Sequence, residues 1–388
     1  MLKLEELKST FRLNRSDIEE ALLNLRELAS IPAPPLKEEK RREKFISILK
    51  KNQITNFKVD DYGNVIISLT ETDDFAPILI TTNLDSAFDE SLSHTVSFSS
   101  DKVMGPGVGE NCIALAVLPI LYRHLRDHKD IFNKNIILAA TTGGLGNGDF
   151  YGMRGIIKKY QNKIKNVITL RGIDFGKVGY QSPAISRQII IIRTKNLKKE
   201  AINWSNNPIT ILAAFMKELQ IFQKSQPGIN QINISFIRGG LDFDGVPSIG
   251  SLGIEIIAEE ENALFAVENA IALKLRSLIR EECDYNIEVI SSVLPGGMAK
   301  NHKIIEELKD IYKWISRNDK IPVKFHLAYS TSEATIPMSQ DIKTVELGIT
   351  SGVNNRYLDD YIYLKPVLSG IKQVLFLTHF LNSQLEEK

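Results

Sequence analysis

Three carboxylates sit where an open α/β protein places its chemistry. Asp85 closes the apolar run ILITTNLD, Glu110 opens a helix directly after GPGVG, and Glu333 follows another apolar run in YSTSEATIP. All three fall at the sheet edge at which open α/β proteins bind ligands. Singly, a carboxylate there is more often a helix cap or a solvated charge; together the three mark a candidate site. Two glycine clusters, GPGVG at 105–109 and GGLGNG at 143–148, each precede a helix and could hold a phosphate at its N-terminus. Neither completes a dinucleotide fingerprint, because the first lacks a strong preceding strand and the second lacks an acidic residue ending the next strand. Tight strand-to-helix turns are their simpler use. Among the six histidines, His124 and His128 have the i,i+4 spacing of a helical ligand pair. RHLRDHKD lacks the glutamate of an HExxH motif, however, so the pair reads as a solvated face. No serine occupies a GxSxG elbow, and neither cysteine has a histidine nearby in sequence.

These residues need a scaffold, and the hydrophobic pattern supplies one. Residues 17–30 and 37–52 carry the 3.6-residue helical period, separated by IPAPP, which stops one helix before the next begins. NVIISL, APILITTNL and NIILAATT read as strands, and ENCIALAVLPILYRHLRDH reads as a long buried helix ahead of the third. Strands alternating with buried helices predict an α/β sheet covered on both faces. From about 188 the rhythm changes to strand, helix, strand, strand, helix, strand, ending near 293. That order is the split βαβ arrangement of a small antiparallel sandwich. LPGGMAKN returns the chain to helix KIIEELKDIYKWISRN, strands PVKFHLAY and KTVELGIT, and a terminal helix. The expectation is a discontinuous α/β/α domain with a mixed sheet, 1–187 and 294–388, carrying an inserted ferredoxin-like βαββαβ lid over 188–293.

Composition closes off other classes. At 388 residues and 43% hydrophobic the chain can bury a large core, which excludes disorder. With 48 Lys+Arg against 47 Asp+Glu, the net charge of +1 gives no field favouring nucleic acid or an anionic membrane. Cys112 and Cys283 belong to no CxxC, which points to a reducing, cytoplasmic compartment. The N-terminus has neither signal-peptide nor membrane-span character, and residues 1–16 read only as an amphipathic cap on the first helix.

The order of motifs resembles the co-catalytic zinc exopeptidases and deacylases: carboxypeptidase G, aminoacylase, acetylornithine deacetylase, succinyl-diaminopimelate desuccinylase and peptidase T. The resemblance spans about 20–385. DDYGNVIISL is similar to their Gly-Asn strand, and ILITTNLDSAF to the strand bearing their His-x-Asp. GPGVGENCIALAVLP is similar to their Gly-x-Gly-x-x-Asp-Asn helix start, and AATTGGLGNGDFYGMRG to their Glu-Glu-Gly-Leu-Gly segment. IRGGLDFDGVPS resembles the lid segment with Gly-Gly and Asn-x-Ile-Pro, YSTSEATIPMSQDIKTVELG the Ser-Thr-Asp segment, and VNNRYLDDYIYL the one with the final His.

The resemblance implies two zinc ions bridged by an aspartate, each also held by a histidine and a further carboxylate, with a separate glutamate deprotonating the bridging water. Carried over residue by residue, that set is almost gone. The first histidine falls on Asn83, with its partner kept as Asp85, and the bridging aspartate falls on Glu110. The general base falls on Thr142, the ligand after it on Gly143, the other terminal carboxylate near Arg171, and the last histidine on Arg356. The lid histidine of such enzymes should fall in 199–204, where there is none. Zinc needs His, Cys or carboxylate donors, and arginine is always cationic.

The expectation is therefore a non-catalytic homologue without a cofactor, in which Arg171 and Arg356 either pair with Asp85 and Glu110 or stand as solvated loop residues. An arginine-lined cleft between the domains would suit a small carboxylate or peptide ligand. The alternative is an active zinc-dependent amide or peptide hydrolase with displaced ligands: Asp85, Glu110, Glu333 and one of Asp359 or Asp360. The family's dimerisation through the lid makes a homodimer a third expectation; nucleic acid and membrane are not expected partners.

Overall fold

A computed structural model describes residues 2–70, 78–132, 135–195, 205–223, 228–243 and 247–385. They form two compact units, Met1–Gln181 with Gly297–Lys388, and Ser182–Gly296. In the larger unit, helix Arg15–Ala29 starts where Asn14 accepts the Ser16 amide and Asp17 reaches back to the Asn14 amide, a reciprocal cap. Its Ala21, Leu25 and Leu28 then face the core. The second helix begins at Glu39, two residues later than the pattern suggested, because Glu38 turns its carboxylate onto the loops Leu36 and Gly143.

Strands Ile78–Asn83 and Ile136–Thr141 are buried at every position and run parallel, as a sheet covered on both faces requires. Among the described residues the sheet has 9 strands. From Phe57–Val59 at one edge it passes through Val65–Ser68, Ile136–Thr141, Ile78–Asn83, Asn166–Arg171, Lys343–Gly348 and Lys177–Ser182 to Gly296–Gly297. His326–Tyr329 pairs parallel with Lys177–Ser182 and is shorter than PVKFHLAY suggested. Antiparallel pairings at Val65–Ser68 and Lys343–Gly348 make the sheet mixed. Glu110 sits in a single π-helical turn, Val108–Cys112, ahead of the buried helix Ile113–Asp127.

Two surface readings change in the folded chain. The N-terminal segment is part of the core: helix Leu4–Phe11 buries Leu7 and Phe11, and the Phe11 ring lies 6.4 Å from Phe376 and 5.3 Å from His128. Nor do His124 and His128 make a solvated face. His124 is bonded to Asp17 at 3.1 Å, and Phe11 covers both imidazoles.

The smaller unit has the expected βαββαβ order. Its strands Ala184–Thr194, Ile229–Gly239, Ile249–Ala258 and Cys283–Val293 are wholly antiparallel, with the second and fourth at the edges and the third beside the first. Helices Pro208–Gln223 and Glu261–Leu278 bury Leu212, Phe215, Val267 and Ile271 against Ile190, Leu252 and Ile254. It starts earlier than 188 because SPAISR is already in the ladder, with Ala184 opposite Ala258 and Ile185 opposite Ile257. Residues 199–204 and 244–246, where the lid histidine and part of the Asn-x-Ile-Pro resemblance were placed, lie outside the described residues. No helix among the described residues is long and apolar enough to cross a membrane.

Candidate functional site

The parallel strands of the larger unit deliver a set of buried carboxylates to their carboxyl ends. Asp85 follows Ile78–Asn83 and is fully enclosed. It accepts the Asn83 side-chain amide and the main-chain amides of Gly144 at 3.1 Å and Leu145 at 2.7 Å. The loop comes this close because residue 144 is glycine: a Cβ there would stand 2.7 Å from that of Asn83. One residue earlier, the Gly143 amide donates to Glu38 at 2.8 Å, and the Leu36 amide donates to the same oxygen. The first three N–H groups of the glycine-rich turn are thus spent on two carboxylates of the chain itself rather than on a phosphate.

Glu110, 1% exposed, accepts the Ala87 amide at 2.9 Å and faces Arg356, whose Nε is 3.4 Å away. That contact is an ion pair without hydrogen-bond alignment, since Glu110 Oε1 has no hydrogen-bond partner. Arg356 takes a left-handed backbone, φ 62°, held by Asp360, which accepts the amides of Asn355, Arg356 and Tyr357. Asp360 is consumed by that loop, and Asp359 is exposed. Arg171, ending its strand, does not reach Asp85 or Glu110. It lies 3.9 Å from Glu346, which also accepts the hydroxyls of Ser330 and Ser332. Glu333 is buried and accepts the hydroxyl of Thr141, while the nearby Thr81 hydroxyl donates to Thr169 at 3.3 Å.

Burial sets the electrostatics. It pushes Asp85 up to about 7, opposed by the Asn83 amide and reinforced by the charge of Glu38. It pushes Glu333 up to about 7 as well, against the two threonine hydroxyls and with help from Asp85 and Glu346. Thr142, where the resemblance places the general base, donates its hydroxyl to the Tyr62 carbonyl at 2.7 Å and its amide to Asn64 at 3.1 Å. A threonine so engaged cannot accept a proton near neutral pH, and Gly143 has no side chain to offer.

The donor set does not fit a pair of zinc ions. Asp85 and Glu110 already accept bonds from the protein, and Arg356 stands where the resemblance places the final histidine. The histidines are used elsewhere: His379 accepts the Leu2 amide, His302 caps helix Lys303–Asn318, and His94 bonds the carbonyls of Ala29 and Asp89. Among the described residues no group of three or more His, Cys, Asp or Glu is placed to hold a metal ion.

Sequence reasoning missed Glu38, Glu346 and Arg41. Glu346 left a signal, a lone carboxylate inside the apolar strand KTVELG. Glu38 and Arg41 left none, lying in the charge-dense KEEKRREK. Arg41 is 1% exposed and donates to the carbonyls of Ile31 and Leu84 and to the Ser86 hydroxyl, clamping the loop that carries Asp85.

No family model and no curated protein matches the sequence. The fold has many solved counterparts. Aminopeptidase PepT from Bacillus cereus superposes with a TM-score of 0.65 at 16% identity, over 93% of this chain and 98% of that one. Human carnosine dipeptidase 1 gives 0.69 at 12%, over 98% and 99%. A dinuclear metal-binding peptidase of the M20 family from Bacillus subtilis gives 0.61 at 12%, over 95% and 99%. At such identities the likeness is one of fold: the chain has the M20 peptidase fold, matched over nearly its whole length.

Proposed function

We propose that this chain is a non-catalytic relative of the peptidases whose fold it shares, with internal hydrogen-bond donors and guanidinium charge standing where metal charge would be. The observation that carries the reading is that the chain's own groups occupy the centre. Asp85 is held by Asn83, Gly144 and Leu145, and Glu110 by Ala87 and Arg356. A carboxylate that already accepts from the chain, or faces its guanidinium, gains less from a metal that must displace those groups.

The remaining role is binding. Arg356 is 59% exposed and Arg171 29%, so both guanidinium groups can meet the carboxylate of a small acid or peptide. The edge strand Ile229–Gly239, paired on one side only among the described residues, supports the homodimer. Cys112 and Cys283, buried and unpaired, fit a reducing cytoplasm. The test is assay of dipeptide and N-acyl-amino-acid hydrolysis with zinc, manganese or cobalt added. Absence of turnover supports the reading; metal-dependent turnover lost in Asp85→Asn or Glu110→Gln would replace it with the displaced-ligand hydrolase.

A further inference from the structure

Helix Lys303–Asn318 and the segment leading into strand His326–Tyr329 enclose a groove of about 510 Å³ that belongs to no part of the site above. Its charged lining residues are Lys309, Lys313 and Arg317, and no carboxylate lines it among the described residues. Its floor is apolar, built from Tyr312, Val323 and Phe325. The cations stand at i, i+4 and i+8 on one helix and so repeat every ~6 Å. Alternate side chains of an extended strand repeat at nearly the same interval, about 6.6 Å. Lys309 and Lys313 touch Glu306 at 2.6 Å and Asp310 at 3.0 Å. Pairs this exposed contribute little and exchange readily for another carboxylate.

One wall of the groove ends at Phe325, and the next residue opens a strand that pairs with Lys177–Ser182 and, among the described residues, with nothing on its other side. Such an edge offers main-chain donors and acceptors to an incoming strand. We propose that this groove docks an extended acidic segment of a partner protein, with carboxylates at alternate positions over Lys309, Lys313 and Arg317 and an apolar side chain between them on Val323 and Phe325. The open strand edge favours a peptide over a nucleic acid, which has no main chain to add to a sheet and would leave that edge unused.

The experiment is fluorescence polarisation on the full chain with a labelled, end-capped peptide of about eight residues alternating Glu and Val. Its control has the same composition but all glutamates in one block. The proposal expects saturable binding of the alternating peptide, at least tenfold weaker binding of the block, and at least tenfold loss in Lys313→Glu/Arg317→Glu. Both substitutions lie on the solvent side of the helix, so an unchanged far-UV spectrum and melting temperature establish that the variant folds. Equal binding of both peptides, no binding of either, or an unaffected double variant would overturn it. So would a single-stranded RNA that binds through the same two residues where the peptide does not.

Discussion

Glu333 offers the sharpest test of the electrostatics. Its carboxyl is fully buried and accepts the Thr141 hydroxyl through Oε2 while Oε1 has no hydrogen-bond partner, and burial raises it from 4.5 to about 7. A carboxyl so raised binds its proton more tightly folded than unfolded. Between pH 4.5 and 7 the folded state therefore holds more protons, and stability must fall as pH rises through that window. Each pH unit of the difference is worth about 1.4 kcal/mol, so ionising Glu333 withholds roughly 3 kcal/mol from the folded state above pH 7. Glu333→Gln removes this pH dependence and keeps the acceptor for Thr141. A buried unpartnered amide costs about 1–3 kcal/mol, but equally at every pH. Urea unfolding of both proteins at pH 4.5 and pH 8.5 isolates the effect: the variant should gain about 3 kcal/mol on the wild type between the two. Parallel profiles would show that Glu333 ionises normally and refute the reasoning.

Three further outcomes are expected. Gly144→Ala drives a Cβ into Asn83 and should cost about 1–3 kcal/mol in chemical denaturation, as overpacking does; a neutral result would mean that the turn does not seat on Asp85 as described. Arg356→Ala leaves Glu110 with the Ala87 amide alone and should cost about 1 kcal/mol, shrinking as salt is raised, since the guanidinium is mostly exposed. An unchanged melting curve would mark Arg356 as a solvated loop residue. Phe11→Ala empties a pocket lined by Phe376, His124 and His128 and should cost about 3–5 kcal/mol. A loss near zero would return the N-terminal helix to the surface.

Much of the fold was legible because burial and period coincide. ILITTN and IILAAT are apolar throughout, as only a doubly covered strand can be, and the βαββαβ order emerges from clean alternation between 188 and 293. The N-terminal helix was not legible, because two buried residues in eight look like an amphipathic surface helix until Phe376 and the two histidines are brought beneath it. In the site, Asn83, Asp85, Glu110 and Thr142 were locatable from motif order, but their partners were not. Nothing local tells Glu38 and Arg41 from the solvated charges around them; only the tertiary path of the 143–145 and 84–86 loops makes them partners. Arg171 was drawn to Glu346 because the neighbouring strand Lys343–Gly348 pairs directly with its own.

The central claim, that protein donors have taken the place of metal, is tested most directly by elemental mass spectrometry of the purified protein after equilibration with a modest excess of zinc and washing. A centre occupied by the chain's own groups predicts well below one equivalent retained, unchanged in Asp85→Asn. One or two retained equivalents, lost in Asp85→Asn or Glu110→Gln, would contradict it and make this chain a metalloprotein.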